Sequence, residues 1–571
     1  MNNVRLTVTV VILALASLST GGQQSNEYGH YAPEDAFIDD SGFAYYGSEN
    51  PWNRRFFTEA SADKDYKWRG QRQLLEILEG RPEKAVEMCE RRLAQDSRDP
   101  ETYFMLAVAR TQMGKLDKAL EAARQALAYG LPFGRFLAGP RSLLRPLVET
   151  PAFREMAAEH PVRLIHGPML GCVTDRSAAF WVRTSEEFPV VVRLFDAEKK
   201  TIEARAKTDP KRDYTAMLKV DGLKPGTSYD YDVLIEGQSA YPSSELPSFR
   251  TFPGSGRHAA FRVGFGGCAG YTPVYERMWT TILSYKPDAF LLLGDNIYID
   301  MPEMPGPFHD YSYYCRQSRP EFRDLTSRVP VYAIWDDHDC GIDDIWMGPY
   351  LDKPAWKKPM LDHFRNNWNN PGYGDEKWPG CWFSFACADV DFIMLDCRFY
   401  RTNPFQKPRT MLGPVQKAWL FDQLKKSKAT FKVIVSSVAW APGAKPGAKD
   451  IWEGFPEERE EIFSFIEKHR IDGVFLLSGD RHRSDAWRLD RPNGYPLYDF
   501  MSSRLTNIHT HEVMPGALFA YNEKCSFGLL SFDTTLPNPE VIYQIVNIDG
   551  EIVHSIKLKR SQLEFGGVAR R

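Results

Sequence analysis

No Cys-x-x-Cys pair occurs among the nine cysteines, which argues against a structural zinc ribbon or knuckle. Neither sign of charge dominates: 71 Lys and Arg against 75 Asp and Glu leave a net charge of -4. Such a balance gives no general draw toward nucleic acid or an anionic membrane, so no nucleic-acid-binding patch is expected and any attraction for phosphate must be local. After the first 22 residues no apolar run is long enough to cross a bilayer. Long disorder is also unsupported, because 43% hydrophobic and 13% aromatic residues are ample material for packed cores. The 571 residues exceed what one core organises, and about three or four domains are expected.

The chain opens with Arg5, an apolar run from Val8 to Leu18 and small residues from Ser19 to Gly22. This pattern reads as a signal peptide over 1–22, with a secreted or periplasmic destination; the competing reading, an uncleaved anchor, asks for a longer run of about 20 residues. An oxidising compartment would let some cysteines pair, and a metal-bound thiolate at Cys268 would leave eight others. Residues 23–67 are aromatic, acidic and irregular, as in a linker or a packed arm.

Over 68–160 the pattern is helical and repeats. Gly80 matches Gly114, Ala85 matches Ala119, Cys89 matches Ala123 and Leu93 matches Leu127, each pair 34 residues apart. That period and the small residues resemble the tetratricopeptide family, in which antiparallel helices approach closely around a glycine turn. The region reads as either a groove for a protein partner or a structural brace. Because two repeats are short of the ~3 needed for independent stability, it is expected to pack on another part of the chain.

Between 161 and 254 short alternating segments appear, such as Ala178 to Arg183, Val190 to Phe195, Tyr214 to Val220 and Tyr229 to Ile235. They predict an all-β sandwich. The run Leu223-Lys-Pro-Gly-Thr-Ser-Tyr229 resembles the strand-turn-strand signature of fibronectin type III domains, a fold that by itself implies no chemistry.

From 255 to 571 buried apolar runs alternate with helical stretches, and five of the runs end in acids or metal-ligand types. They lead into Cys268, into Gly294-Asp295-Asn-Ile-Tyr298, into Asp336-Asp-His-Asp339, into Asp396-Cys-Arg398 and into Ser478-Gly-Asp480-Arg-His482. Strands of an α/β sheet bring such endings to one crevice. One Gly-Asp after a strand is ordinarily a turn, whereas five converging endings call for a common cause.

Phosphate-ester hydrolysis supplies that cause. It needs a nucleophile usable near neutral pH and compensation for phosphoryl charge, and two metals roughly 3.5–4 Å apart provide both by binding one hydroxide and the substrate. Asp295 is the natural bridge between them. A thiolate at Cys268 and a phenolate at Tyr298 favour one hard, strongly acidic ion, for which iron is the candidate. Asp337 adds a carboxylate directly before His338, which fits a general acid, with Asp339 orienting the imidazole. Asp336 is a further candidate ligand for a hard cation such as calcium. Arg398 and Arg401 are candidates to hold a phosphate bidentately, with a structural salt bridge as the competing reading. The Pro442 to Lys449 loop reads as solvated surface, or as a flank that steers anionic substrate.

These motifs, with Leu395-Asp-Cys-Arg-Phe-Tyr-Arg401 and Leu412-Gly-Pro-Val-Gln-Lys-Ala-Trp-Leu420, resemble those of the PhoD-type alkaline phosphatases and phosphodiesterases, a branch of the calcineurin-like metallophosphatases, and stand in that family's order. The resemblance covers about two thirds of the chain. It implies a two-sheet α/β sandwich, one ferric ion with calcium, and a phosphate ester substrate. Residue by residue it implies Cys268, Asp295, Tyr298 and His482 around one metal, Asp295, Asp337 and Asp480 around the other, and His338 as the acid. One departure from broader metallophosphatases stands out: Phe431 to Trp440 contains no histidine, so the second metal site is oxygen-rich and favours calcium over zinc. The alternative function is a catalytically inactive phosphatase fold retained as an adaptor that binds proteins through its repeats; an intact ligand set speaks against it.

Overall fold

A computed structural model describes residues 70–566 apart from 243–244, 304–305 and 406. The signal-like segment 1–22 and the arm 23–67 lie outside the described residues.

The described chain starts as two antiparallel helical pairs, Gln71–Leu78 with Pro82–Leu93 and Pro100–Gln112 with Leu116–Ala128. Both pairs turn at glycine, Gly80 with φ of 78° and Gly114 with φ of 71°, where an L side chain would be strained. Asp99 caps the third helix by accepting from Glu101 N at 3.2 Å, and Pro100 occupies its first turn. Ala107, Ala109, Ala119, Ala123 and Ala126 are buried at the helix contacts, where nothing larger would permit the same approach. The helices Gly134–Ala138, Arg141–Val148 and Pro151–Glu159 follow. The helical region does not stand alone: Leu74, Phe104 and Phe136 share one apolar core with Ile297, Ile299, Tyr311 and Trp335.

Next come eight strands, β1 Leu164–Gly171, β2 Ser177–Thr184, β3 Pro189–Phe195, β4 Thr201–Lys207, β5 Thr215–Asp221, β6 Ser228–Ile235, β7 Gln238–Ser239 and β8 Ser248–Arg250. One sheet has the order β1-β2-β5 and a second is built on β4-β3-β6-β7, with β8 on β6. Alternate residues Val190, Val192 and Leu194 are buried and meet Phe180 and Leu218 across the sandwich. Tyr229 Oη accepts from Lys224 N at 2.9 Å and pins the turn before β6.

The remaining strands are β9 Ala260–Gly266, β10 Ala289–Leu293, β11 Val331–Ile334, β12 Phe383–Cys387, β13 Val390–Met394, β14 Phe431–Val435, β15 Val474–Ser478, β16 Ser484–Leu489, β17 Leu497–Ser502, β18 Phe519–Tyr521, β19 Ser526–Asp533, β20 Glu540–Asn547 and β21 Ile552–Lys559. They form two sheets, β11-β10-β9-β19-β20-β21 and β12-β13-β14-β15-β17-β16-β18. In the first, β9, β10 and β11 run parallel, with Leu291 opposite both Phe265 and Tyr332. In the second, β13, β14, β15 and β17 are parallel, with Val433 opposite both Phe392 and Phe475. The central strands β10, β14 and β15 are buried along their whole length, and continuous apolar runs are what parallel strands covered on both faces demand. All nine cysteines are free thiols, so the pairing that an oxidising compartment would permit is absent from the fold.

Candidate metal centre

Each strand that predicted a ligand ends beside the others. After β9 the chain passes Gly267 to Cys268; after β10 it passes Gly294 to Asp295. A Cβ on Gly294 would lie 2.4 Å from Asp336 Cβ, so glycine is required where two strand ends converge. Cys268, Asp295, Asp480 and His482 all have positive φ, of 56°, 53°, 71° and 49°. Left-handed backbone at a non-glycine residue costs about 1–3 kcal/mol and gathers where function demands it.

Asp295 sits at the centre. Its carboxylate belongs to three groups of donors whose atoms lie within 4.8 Å of one another: with Cys268 and His482, with Asp337 and His338, and with Asp336 and Asp480. Cys268 Sγ donates to Asp295 Oδ2 at 3.4 Å, and Tyr298 Oη donates to the same oxygen at 3.2 Å. Asn507 Nδ2 donates to Tyr298 Oη at 2.7 Å. All seven expected metal ligands therefore gather in one place.

Without cations this assembly is electrostatically poor. Burial pushes the Asp295 carboxyl well above the usual range; His338 opposes that push, and Asp337, Asp336 and Asp339 add to it. Burial likewise raises the Cys268 thiol, helped by Asp295 and Asp480, and the Tyr298 phenol, helped by Asp295 and Cys268. Asp295 Oδ1, Asp336 Oδ2 and Asp480 Oδ2 are buried with no hydrogen-bond partner. Buried carboxylate oxygens of this kind are costly unless paired or metal-bound, so the donor set fits cations.

Several expectations need correction. Asp339 does not orient His338. It accepts from Asp336 N at 3.0 Å, completing a capping box on the short helix Asp337–Cys340, and from Asn296 N at 3.0 Å and Ile297 N at 2.9 Å in the loop after β10. Adjacent residues on a helix do not face each other, so Asp339 is badly placed for the imidazole. Asp300 orients the ring instead: its carboxylate pairs with His338 Nδ1, while Nε2 lies 3.4 Å from Asp343 Oδ1. Nor is Arg398 open to a phosphate. It is fully buried, with Nε donating to Asp336 Oδ1 and the guanidinium 3.6 Å from Asp337 Oδ2. Burial pushes Asp337 up, but Arg398 and His338 outweigh it and hold the carboxyl below its usual value. Arg398 thus keeps Asp337 charged and orients Asp336, whose carboxyl burial still pushes up to about 7. Asp336 keeps only its second oxygen for a cation, since Ser437 Oγ also donates to Oδ1 at 2.8 Å. Arg401 is buried as well, donating to Lys449 O at 3.1 Å and covering the Phe455 ring.

The 442–449 loop is solvated only in part: Pro442, Pro446 and Gly447 are exposed, whereas Ala444, Lys445 and Ala448 are buried. Lys445 is buried between Asp450 at 2.8 Å and Asp344 at 3.4 Å, and Arg483 donates to Ala444 O at 2.7 Å. Sequence reasoning also missed His509 and His511, whose rings lie 5.1 Å and 5.4 Å from that of His482. The alternations Tyr298-Ile-Asp300 and His509-Thr-His511, which put both partners on one side of an extended chain, were the available signals.

The chain is similar to known proteins in sequence and in fold. Residues 261–563, more than half of the chain, match the model of the PhoD-like phosphatase family. Residues 161–254 match a domain of unknown function (DUF7800). Alkaline phosphatase D of Bacillus subtilis (strain 168) is 24% identical over 326 residues, 49% of this chain and 55% of that protein, so the chain spans about half the length of this curated relative. Among solved structures, one described as the structure of PhoD has a TM-score of 0.60 at 17% identity, covering 69% of this chain and 90% of that one. A purple acid phosphatase from yellow lupin (Lupinus luteus) seeds has a TM-score of 0.53 at 14% identity, covering 70% and 75%. At these identities the two structures share the fold.

Proposed function

Because the chain belongs to the PhoD-like phosphatase family, we propose that it is an exported, metal-dependent phosphoesterase acting on phosphate esters. The observation that carries this reading is the position of Asp295, one carboxylate common to three donor groups. Cys268, Asp295, Tyr298 and His482 would hold one cation, and Asp295, Asp337 and Asp480 the other, with Asp336 Oδ2 as an additional oxygen. The thiolate and phenolate suit a ferric ion, and the oxygen-rich set suits calcium. When bound, the cations supply positive charge for the phosphoryl oxygens and make water a usable nucleophile near neutral pH.

The chain's own groups account for the proton. His338 holds one at Nε2 and gives it to the departing oxygen. Asp300 on Nδ1 fixes the ring, as a carboxylate behind a catalytic imidazole does. The regions 68–160 and 161–254 complete the proposal as a tetratricopeptide-like pair of repeats and a fibronectin type III-like sandwich. The glycine turns and the Tyr229 anchor support that reading.

Elemental analysis of protein purified without added metal, combined with a panel of phosphomonoesters and diesters, tests the function. Iron with calcium and ester hydrolysis are the expected results; a metal-free protein, or one inert on every ester, overturns it. The thiolate and phenolate give a further expectation, a visible charge-transfer absorption in the loaded protein. A colourless, fully active zinc protein would refute the ferric assignment.

A further inference from the structure

We propose that the N-terminal helical region is a working part of the metal centre, with Gln71 as a positioning residue for the loop that carries Asp295, Tyr298 and Asp300. Gln71 begins the first described helix, far in sequence from that loop, and is almost fully buried. Its Nε2 donates to Tyr298 O at 2.6 Å and to Ser312 Oγ at 2.7 Å. Both donors of one amide are thereby committed, one to the backbone of a candidate ligand and the other to the helix Pro307–Gln317.

The seam around this contact is built to hold it. Gly70, with φ of 82°, passes so close to Tyr311 that a Cβ there would lie 1.9 Å from the phenol oxygen. Tyr311 Oη donates to Glu101 at 2.6 Å, and Arg135 donates to both oxygens of Glu101, at 2.9 Å and 2.6 Å. The Tyr311 hydroxyl thus reaches across the seam to an acid that Arg135 pairs from within the helical region, in addition to the shared apolar core. A small cavity of about 30 Å³ runs along the seam, walled by Gln71, Asn296, Tyr298 and Arg316. Beyond it, Ile299 N donates to His338 O at 2.9 Å, so the braced loop also holds the backbone of the candidate acid.

A partner-binding array has no need of such a joint, and an isolated brace would have no reason to end on a ligand's carbonyl. The loop places three functional side chains within a short stretch, and misplacement of such groups by about 1 Å costs on the order of 100-fold in rate. The consequence for catalysis rests on the function proposed above, whereas the brace itself does not.

The test is hydrogen exchange of residues 294–301 in the full chain, read beside metal content, kcat and KM. Gln71→Leu removes the donor and keeps an apolar seam. Exchange in 294–301 should then quicken by about 10-fold or more, while kcat falls by about 10-fold to 100-fold with KM unchanged. Should Gln71→Leu unfold, Gln71→Glu keeps the shape, sets an acceptor against the Tyr298 carbonyl, and should quicken the same exchange. Unchanged protection of 294–301 in a folded Gln71 variant overturns the brace. Quickened exchange in a protein inert on every ester leaves the brace standing and sinks the proposed function instead.

Discussion

Asp295→Ala abolishes turnover and metal binding together. One carboxylate contributes to three donor groups, so its loss removes an oxygen from both cations at once. The rate should fall by at least about 10³-fold, beyond the loss from deleting a single electrostatic donor. Elemental analysis should find both metals depleted. A thermal measurement separates this from misfolding: cations that bind only the native state stabilise it, so chelator lowers the melting temperature of the wild type. Asp295→Ala should melt at the same temperature with and without chelator. Retained iron at full occupancy with an unchanged rate would sink the assignment of Asp295.

His338→Ala should behave in the opposite way, keeping its metals while losing chemistry. General acid catalysis contributes about 10²–10⁴-fold, and its weight grows with the basicity of the leaving group. An alkyl phosphate should therefore lose far more than a nitrophenyl ester. Asp300→Asn should lose about 10-fold to 100-fold with the same substrate dependence, because it releases the ring without removing it. Asp339→Asn gives a contrast, for its backbone donors are Asp336 N of the helix cap and Asn296 N and Ile297 N of the loop carrying Asp295 and Tyr298, so its loss should loosen that loop and cost both substrates alike. Equal losses on both esters in His338→Ala would mean that the imidazole orients the phosphoryl group and donates no proton to the leaving oxygen.

What could be read in advance was whatever depends on local pattern. Strand runs ending in Cys268, Asp295, Asp337 and Asp480 signal a crevice because parallel strands share a polarity, and the structure brings those ends together. The glycine turns at Gly80 and Gly114 follow from the 34-residue period. Orientation was harder to read. Asp339 adjoins His338 in sequence yet faces away, and Asp300 reaches the imidazole only because the loop after Tyr298 folds back on the helix Asp337–Cys340. Lys445 looked solvated until Asp344 and Asp450, distant or unremarked in sequence, enclosed it. The joint at Gln71 links residues 227 apart, and no periodicity announces a contact of that range.

The left-handed residues around the centre set the protein's function against its durability. Cys268, Asp295, Asp480 and His482 each hold a conformation that glycine adopts without strain. A Gly at any of them would relieve that strain and thin a crowd of buried acids and donors. The expected product is an inert protein that outlasts the active one on heating in the absence of metal. Selection for hardiness alone would favour such substitutions, one ligand at a time.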